Sequence, residues 1–249
     1  MKEYKSVIIA LIAGISAIVC VMIGSSGLIT FKAQGKSSGI SATGSASQNF
    51  TSDLIVWRGS FSAHGETTKE AYEKIKRDSE ITKKYLLDNG VTEDEMIFYS
   101  VNITQNYRYE YNSAGKMIGE YPDGYDLSQE LQITSSDVDK IDAISRDITE
   151  LIDAGVEFIS GSPEYYYTKL DELKLEMIDM ATQNAKSRID ILAKNSNAKL
   201  GKLQNANLGV FQITAQNSDS EEYSYGGTFN TSSKDKTASI TVKLNYSVQ

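Results

Sequence analysis

The sequence predicts an α+β fold, in which an N-terminal transmembrane helix precedes a body built from two similar strand-helix-hairpin modules. Three observations lead to this prediction. A long uncharged apolar run opens the chain, several later stretches alternate apolar and polar residues as strands do, and others repeat apolar residues at helical spacing. We expect mixed or antiparallel sheets covered by helices, because elements in this order pack most economically in that way.

Composition limits the class of protein. The 249 residues are 40% hydrophobic and 23% charged, with 18 Gly, 2 Pro and 1 Cys, which excludes a collagen-like, disulfide-rich or wholly disordered chain. The formal net charge is −8, and the acidic excess lies after the first 36 residues. A body of this charge repels phosphate groups, so the sequence predicts no nucleic-acid partner and no peripheral polybasic contact with a membrane.

Residues 1–31 are predicted to be a membrane anchor. No charged residue occurs from Ser6 to Phe31, and the run from Val7 to Ile29 is long enough to cross a hydrocarbon layer of about 30 Å. The alternative is a cleaved signal peptide, whose apolar region is shorter, about 7 to 15 residues. We predict a single-pass membrane protein with an extracytoplasmic C-terminal body, periplasmic or on the outer surface, since a short N-terminal tail usually stays in the cytoplasm.

A spacer is predicted between the anchor and the folded body. Residues 32–50 are rich in Ser, Gly and Ala, a composition typical of flexible linkers, and a short strand is expected around 40–46. The folded domain is predicted over 51–249, with two halves at about 51–135 and 136–249.

The first half is predicted to contain a strand, a helix and a long hairpin. Thr67 and Glu70 form a capping-box pattern that satisfies amide groups at a helix start, and Asn89-Gly90 provides the end of that helix. The expected elements are a strand at 54–63, a helix at 67–88, and hairpin strands at 98–111 and 121–134.

The second half is predicted to follow the same order. A joining helix over 137–153 ends at Gly155, and apolar residues spaced like a helix stripe extend from Leu170 to Leu192. Strands are expected at 156–160, 208–215 and 238–248. Residues 217–236 have no periodicity and are predicted to be a mobile loop.

Few residues are available for catalysis or metal binding. His64 is the only histidine, and the only cysteine, Cys20, lies within the apolar run, so zinc ligation and nucleophile-histidine catalysis lack partners. His64 is interpreted as a polar residue at a strand end. The acidic clusters are assigned to helix starts and to the loop, and they comprise Glu66, Glu70, Glu73, Asp137, Asp139, Asp142, Asp219, Glu221 and Glu222. We predict no catalytic residue, no metal ligand and no cofactor.

The tyrosines of the hairpin are the unusual feature of the sequence. Tyr107, Tyr109 and Tyr111 recur with period two and therefore share a face, while Tyr121 and Tyr125 lie on the partner strand. We expect a projecting hairpin with aromatic side chains on one face. These tyrosines suit a subunit interface, or equally a ladder of cross-strand pairs that stiffens an exposed hairpin.

Three stretches of the chain resemble a known family, namely YDLSQELQITSSDVDKIDAISRDITELIDAGVEF at 125–158, SPEYYYTKLDELKLEMIDMATQNAKSRIDILAKN at 162–195, and the ending ASITVKLNYSV. They are similar to the SIMPL-domain family of bacterial envelope proteins, formerly catalogued as a domain of unknown function. The resemblance covers most of residues 38–249. It implies an extracytoplasmic α+β domain that frequently self-assembles and has no established catalytic residues.

The sequence therefore predicts a non-enzymatic, membrane-anchored envelope protein that self-assembles or scaffolds an envelope component, with envelope or stress protection as its expected role. The expected partners are the membrane, further copies of this chain, and another envelope protein. One alternative is an extracytoplasmic binding module that holds a small molecule or peptide in a cleft between the two halves. Another is a carboxylate-dependent hydrolase, for which no residue pair stands out.

Overall fold

A computed structural model of the protein describes residues 39–218 and 226–249. The predicted anchor at 1–31, the first part of the spacer at 32–38, and the acidic residues Asp219, Glu221 and Glu222 lie outside the described residues. Within the described ranges, none of the helices combines the length and the apolar character needed to cross a bilayer.

The described residues contain both helices and strands, as the predicted α+β class requires. The strands are β1 (Gly39–Thr51), β2 (Leu54–Gly65), β3 (Met96–Phe98), β4 (Asn102–Tyr111), β5 (Met117–Ser135), β6 (Phe158–Ser160), β7 (Glu164–Tyr166), β8 (Leu200–Leu208), β9 (Gln212–Ala215) and β10 (Asp235–Val248). The α-helices are α1 (Thr68–Asp88), α2 (Val138–Asp147) and α3 (Leu170–Asn195). Short 3₁₀ helices occupy Glu93–Glu95 and Ile148–Ala154.

The larger sheet has six strands and is built around β2. Its order is β3-β5-β2-β6, with β4 also pairing with β5 and β7 also pairing with β2. All of these pairs are antiparallel. The β2–β5 register runs without a break from Ile55 opposite Ser135 to Gly65 opposite Tyr125, so the side chains of both strands keep a strict inward and outward alternation along their shared length.

The inward face of this sheet carries the main hydrophobic core. Trp57 and Phe61 of β2 and Leu131 of β5 are buried there, together with Ile75 of α1 and Ile141 of α2. Since these residues form one contiguous cluster, both helices pack on the same face of the sheet. The opposite face is left with polar side chains such as Arg58, which donates to Gln132 and Glu164, at 2.9 Å in each case.

The ends of α1 follow the predicted signals with one change. The Thr67 hydroxyl accepts a hydrogen bond from the Glu70 amide at 3.2 Å, but the Glu70 carboxylate accepts from the amide of Glu66 rather than from that of Thr67. A hydrogen bond from Lys74 also holds the pKa of Glu70 below its usual value. The helix ends at Asp88, and Gly90 has the positive φ of +81° that the predicted stop requires.

The second sheet has four strands in the order β1-β10-β8, with β9 also pairing with β10. Strand β10 is antiparallel to both β8 and β9. The strand expected around residues 40–46 is present, and it is longer than predicted, since β1 extends over Gly39–Thr51. The sequence predicted a shorter strand because small residues such as Gly44 and Ala46 are typical of linkers. In the structure both residues are buried.

Two predicted segments of the second half are wrong in detail. The helix expected over 137–153 is an α-helix only as far as Asp147 and continues as a 3₁₀ helix to Ala154. The strand expected at 208–215 is two strands, and β8 begins at Leu200. Strand β8 was missed because most of its residues are exposed, so its sequence lacks the apolar alternation that burial imposes.

The described residues fall into two compact units. The smaller unit contains residues 39–45, 181–209 and 242–249, and the larger unit contains 46–180, 210–218 and 226–241. In the larger unit, β6 and β7 pair with β2, so the six-stranded sheet draws strands from both predicted halves of the body. The predicted internal duplication stays a prediction.

Close backbone contact organises the smaller unit. A Cβ atom built on Gly44 of β1 would lie 2.2 Å from both the Ala181 carbonyl oxygen and the Ala185 amide nitrogen of α3. Only glycine permits this approach of strand to helix. The contact is reinforced by Arg188, whose guanidinium donates to the Thr43 carbonyl at 3.0 Å.

Candidate functional site

The β4–β5 hairpin extends past the rest of the six-stranded sheet. Strand β2 ends at Gly65, opposite Tyr125, whereas β5 begins at Met117 and pairs with β4 throughout this distal part. Nine of the ten residues of β4 are exposed. In the described part of the chain, the distal hairpin is therefore a two-stranded ribbon with an open edge on each side.

The turn of the hairpin is well defined. The Asn112 side-chain oxygen accepts hydrogen bonds from the amides of Ala114 and Lys116, both at 3.0 Å, and Gly115 adopts a φ of +74°. An Asn side chain that bonds to the following backbone is a common way to fix a turn. The predicted hairpin strands, at 98–111 and 121–134, left a wide connection between them, whereas β5 already begins at Met117, so the turn is tighter than predicted.

Four of the five candidate interface tyrosines share one face of the hairpin. Alternation along β4 places Tyr107, Tyr109 and Tyr111 on the same side as Ile103, which lies opposite the buried core residue Leu127. Tyr125 lies opposite Gln105 on this side and packs against the core. The three β4 tyrosines are 42%, 47% and 59% exposed, so this face continues the core face of the sheet into solvent.

Tyr121 lies on the opposite face, so the expectation of a single aromatic face is wrong for this residue. It pairs with Arg108, and its hydroxyl lies 3.4 Å from the Glu110 carboxylate. The cause is a β-bulge. Gln105 and Tyr107 of β4 are two residues apart, but their partners on β5, Tyr125 and Pro122, are three residues apart. One additional residue reverses the alternation of every side chain beyond it.

His64 and Asp126 form a pair at the base of the hairpin. They stand opposite each other in the β2–β5 register, with His64 Nδ1 2.7 Å from Asp126 Oδ1. A Cβ atom at Gly124 would lie 2.8 Å from the imidazole, so glycine leaves the space that the ring occupies. Hydrogen bonds, first from Asn106 and then from His64, hold the pKa of Asp126 below its usual value.

No partner for His64 was predicted from the sequence, and the structure supplies one. Asp126 is 62 positions away along the chain, and only the register of two strands brings the side chains together. The carboxylate orients the imidazole and selects its tautomer. Among the described residues, no three His, Cys, Asp or Glu side chains come together as a metal-binding group.

We expect His64→Ala to lower the free energy of unfolding by less than about 1 kcal/mol, because the His64 and Asp126 side chains are both about half exposed and exposed ion pairs stabilise proteins weakly. Urea denaturation measures this change. Asp126→Asn is the matched control and should give a loss of similar size. A loss of function in a folded His64→Ala protein would show that the imidazole has a chemical role.

The acidic residues singled out in the sequence serve local structure. Asp137 caps α2 by accepting from the Lys140 amide at 3.2 Å. Asp139 forms an ion pair with Lys234, and Asp142 accepts from the Tyr165 hydroxyl at 2.6 Å. Burial together with this carboxylate raises the pKa of Tyr165 to about 12. Glu73, like Glu70, pairs with a lysine of the same helix.

A groove of about 350 Å³ crosses the outer face of the six-stranded sheet in the larger unit. Arg58 and Glu130 lie on this face with Ile159, the last of which is 66% exposed. The Arg58 guanidinium is engaged by Gln132 and Glu164. Most of the side chains that line the groove are polar, whereas small-molecule sites are lined mainly by apolar and aromatic side chains.

The described residues form an α+β domain of antiparallel sheets from which an exposed, tyrosine-bearing hairpin extends. The model of the SIMPL family, described as a protein of unknown function (DUF541), matches residues 40–249. The chain belongs to this family, and the resemblance seen in the sequence is confirmed. The matched region begins within β1, so the family domain includes the strand that precedes the predicted body. A comparison with curated proteins gave no match.

Proposed function

We propose that this protein is a non-enzymatic, membrane-anchored component of the cell envelope whose extracytoplasmic domain assembles through the β4–β5 hairpin. The observation that carries the proposal is the ribbon of exposed tyrosines with open strand edges. The uncharged run from Val7 to Ile29 supports the anchor. Assembly with further copies gives the protein a scaffolding role, with envelope or stress protection as its expected purpose.

The hairpin has the properties of a surface that binds another protein chain. A two-stranded ribbon is only marginally stable in water by itself, and a long exposed edge strand invites pairing with another strand. Strand β4 contains neither Pro nor Lys, the residues that commonly block such pairing. Its tyrosines add large amphipathic surfaces that suit the centre of an interface.

The charged residues of β4 favour pairing with the β4 strand of a second copy of the chain. If two β4 edges pair antiparallel about Tyr109, Arg108 of one copy stands opposite Glu110 of the other, and Tyr107 stands opposite Tyr111. Such a contact is two-fold symmetric, so both opposite-charge pairs form at once. Cross-strand pairs of opposite charge and of aromatic rings each stabilise an antiparallel contact by about 0.2–1 kcal/mol.

We expect the full chain in detergent to be oligomeric, and replacing Tyr107, Tyr109 and Tyr111 together with serine to dissociate it. Interface tyrosines at hot spots contribute about 2 kcal/mol or more each, so the dissociation constant should rise by several powers of ten. Light scattering of the protein-detergent complex measures the mass. Tyr72→Ser is the matched control, since Tyr72 is an equally exposed tyrosine on α1, and it should leave the mass unchanged.

Charge exchange tests the pairing itself. Arg108→Glu and Glu110→Arg should each weaken the oligomer because they place like charges opposite each other, and the double exchange should restore it. A monomer at high concentration of the unmodified chain would overturn self-assembly. Equal oligomers of the unmodified and triple-serine proteins would remove the hairpin from the interface, and the tyrosines would then be a cross-strand ladder.

A further inference from the structure

The two compact units carry opposite charge. The described part of the smaller unit has one acidic side chain, Asp190, and six basic ones, which are Lys186, Arg188, Lys194, Lys199, Lys202 and Lys243. The described part of the larger unit has 15 basic and 28 acidic side chains. The formal net charge of −8 therefore conceals a unit with a charge of +5.

Three chain segments meet at one end of the smaller unit. Val248 of β10 lies opposite Leu200 of β8, and the Gln249 amide donates to the Lys199 carbonyl at 2.8 Å. A Cβ atom at Gly39, the first residue of β1, would lie 2.2 Å from the Tyr246 carbonyl oxygen. We call this region the entry end, defined by Gly39, residues 194–203 and residues 246–249, because the chain enters the described structure there.

The entry end carries basic and apolar side chains together. Lys194, Lys199 and Lys202 are exposed, and none of the three forms an ion pair with another described residue. Leu203 and Val248 are 49% and 42% exposed. Mixed basic and apolar surfaces of this kind are typical of proteins that lie at a membrane interface.

The sequence places the predicted anchor close to this end. Phe31, which closes the uncharged run, is eight residues before Gly39, so the two α-carbons are at most about 30 Å apart. Two further basic residues, Lys32 and Lys36, occur in this connection. The described basic residues of the entry end are thus within a short reach of the apolar run, and the connecting sequence adds two more basic residues.

We propose that the entry end of the smaller unit docks on the anionic phospholipid headgroups of the bilayer that holds the anchor. This proposal rests on the membrane anchoring in the proposed function. Charge complementarity and the short connection identify the occupant. Each basic residue near an anionic surface strengthens binding roughly fivefold, and tethering by the anchor makes the contact intramolecular in effect. Docking fixes which end of the smaller unit faces the membrane.

The test uses the full chain in vesicles, with an environment-sensitive fluorophore on a cysteine introduced by Leu203→Cys in a Cys20→Ser background. In vesicles that contain phosphatidylglycerol, the fluorescence should rise several-fold and be quenched by nitroxide lipids. In phosphatidylcholine vesicles, the fluorophore should stay in water. The difference should disappear in about 1 M salt, where the Debye length is about 3 Å.

Two sets of charge reversals give the matched comparison. Lys194→Glu, Lys199→Glu and Lys202→Glu together should remove the response to phosphatidylglycerol. Lys69→Glu, Lys76→Glu and Lys169→Glu change the net charge by the same amount at exposed positions of the larger unit and should leave it intact. Circular dichroism establishes that both triple variants are folded.

The outcomes separate this proposal from the anchor. An equal fluorescence response in both lipids overturns docking on headgroups. A response that depends on the density of protein in the vesicles rather than on lipid charge also overturns it, and assigns the surface to contact with another protein chain. If an alkaline wash releases the chain from the vesicles, the anchor is wrong. If the released chain then sediments with phosphatidylglycerol vesicles but not with phosphatidylcholine vesicles, the docking surface is still supported. If it sediments with neither, the docking surface is overturned.

Discussion

Replacing Trp57 with alanine is expected to lower the free energy of unfolding by about 3–5 kcal/mol, the range typical of truncating a buried aromatic side chain. Trp57 is 1% exposed, and its ring centroid lies 5.7 Å from that of Phe158. Its indole nitrogen donates to the Ser160 hydroxyl and the Gly161 carbonyl, both at 3.1 Å. The truncation therefore leaves a cavity and two acceptors that lose their donor.

Denaturant unfolding should be followed by circular dichroism, since Trp57 is the only tryptophan and the variant lacks its fluorescence. Trp57→Phe retains most of the apolar volume and removes only the donor, so its loss should be smaller, about 1–3 kcal/mol. Tyr72→Ala, at a position 52% exposed, should change stability by less than about 0.5 kcal/mol. Equal losses at Trp57 and Tyr72 would contradict the position of the core.

The elements that the sequence predicted best are those with a strong local pattern. Strand β2 places Ile55, Trp57 and Phe61 inward, and β10 places Ala238, Ile240, Val242 and Leu244 inward in the same way. In both strands, burial of one side imposes an alternation that is visible within ten residues. The start of α1 and its glycine stop were likewise predictable, because capping depends on neighbouring residues.

Contacts between distant segments were not predictable from local pattern. The pairing of β6 and β7 with β2 depends on how the whole chain folds, as does the meeting of His64 with Asp126. The position of Tyr121 depends on a bulge near Gly124, whose φ of +79° no alternation rule reports. Each of these features requires the register of two strands, which the sequence of either strand alone does not specify.

Charge was misleading when it was averaged over the chain. The acidic excess predicted a body that avoids anionic surfaces, yet the smaller unit gathers basic residues from two separate parts of the sequence, 181–209 and 242–249. Net charge per compact unit is the relevant quantity, because electrostatic attraction acts over about a Debye length of 10 Å or less. Assigning residues to units requires the fold.

Lys236 is the clearest departure from the apolar pattern of β10. It is 1% exposed and precedes Ala238 and Ile240 on the buried side of the strand. Its ammonium group donates to the main-chain carbonyl of Tyr165 at 2.5 Å and lies 5.9 Å from the centroid of the Phe229 ring. Burial lowers the pKa of Lys236 to about 8, from 10.5, because a charged amine loses solvation there.

The stability of the protein is therefore expected to rise with pH above about 8. Between the folded-state pKa of about 8 and the unfolded value of 10.5, the unfolded chain binds more protons than the folded protein, so the free energy of unfolding increases with pH. The full shift corresponds to about 3 kcal/mol. Urea denaturation of the unmodified chain and of Lys236→Met, from pH 7 to pH 10, should show this rise only in the former.

Lys234→Met is the matched control for this comparison. Lys234 lies two residues away, and its ion pair with Asp139 raises its pKa. The contribution of this ion pair to stability is therefore lost only above pH 10.5. The rise in stability from pH 8 to pH 10 should persist in Lys234→Met. The buried Tyr165, with a pKa of about 12, lowers stability above pH 10 in all three proteins and cancels in the differences. Parallel profiles of the unmodified chain and Lys236→Met would mean that the Lys236 amine is solvated in the folded protein, and would contradict its burial.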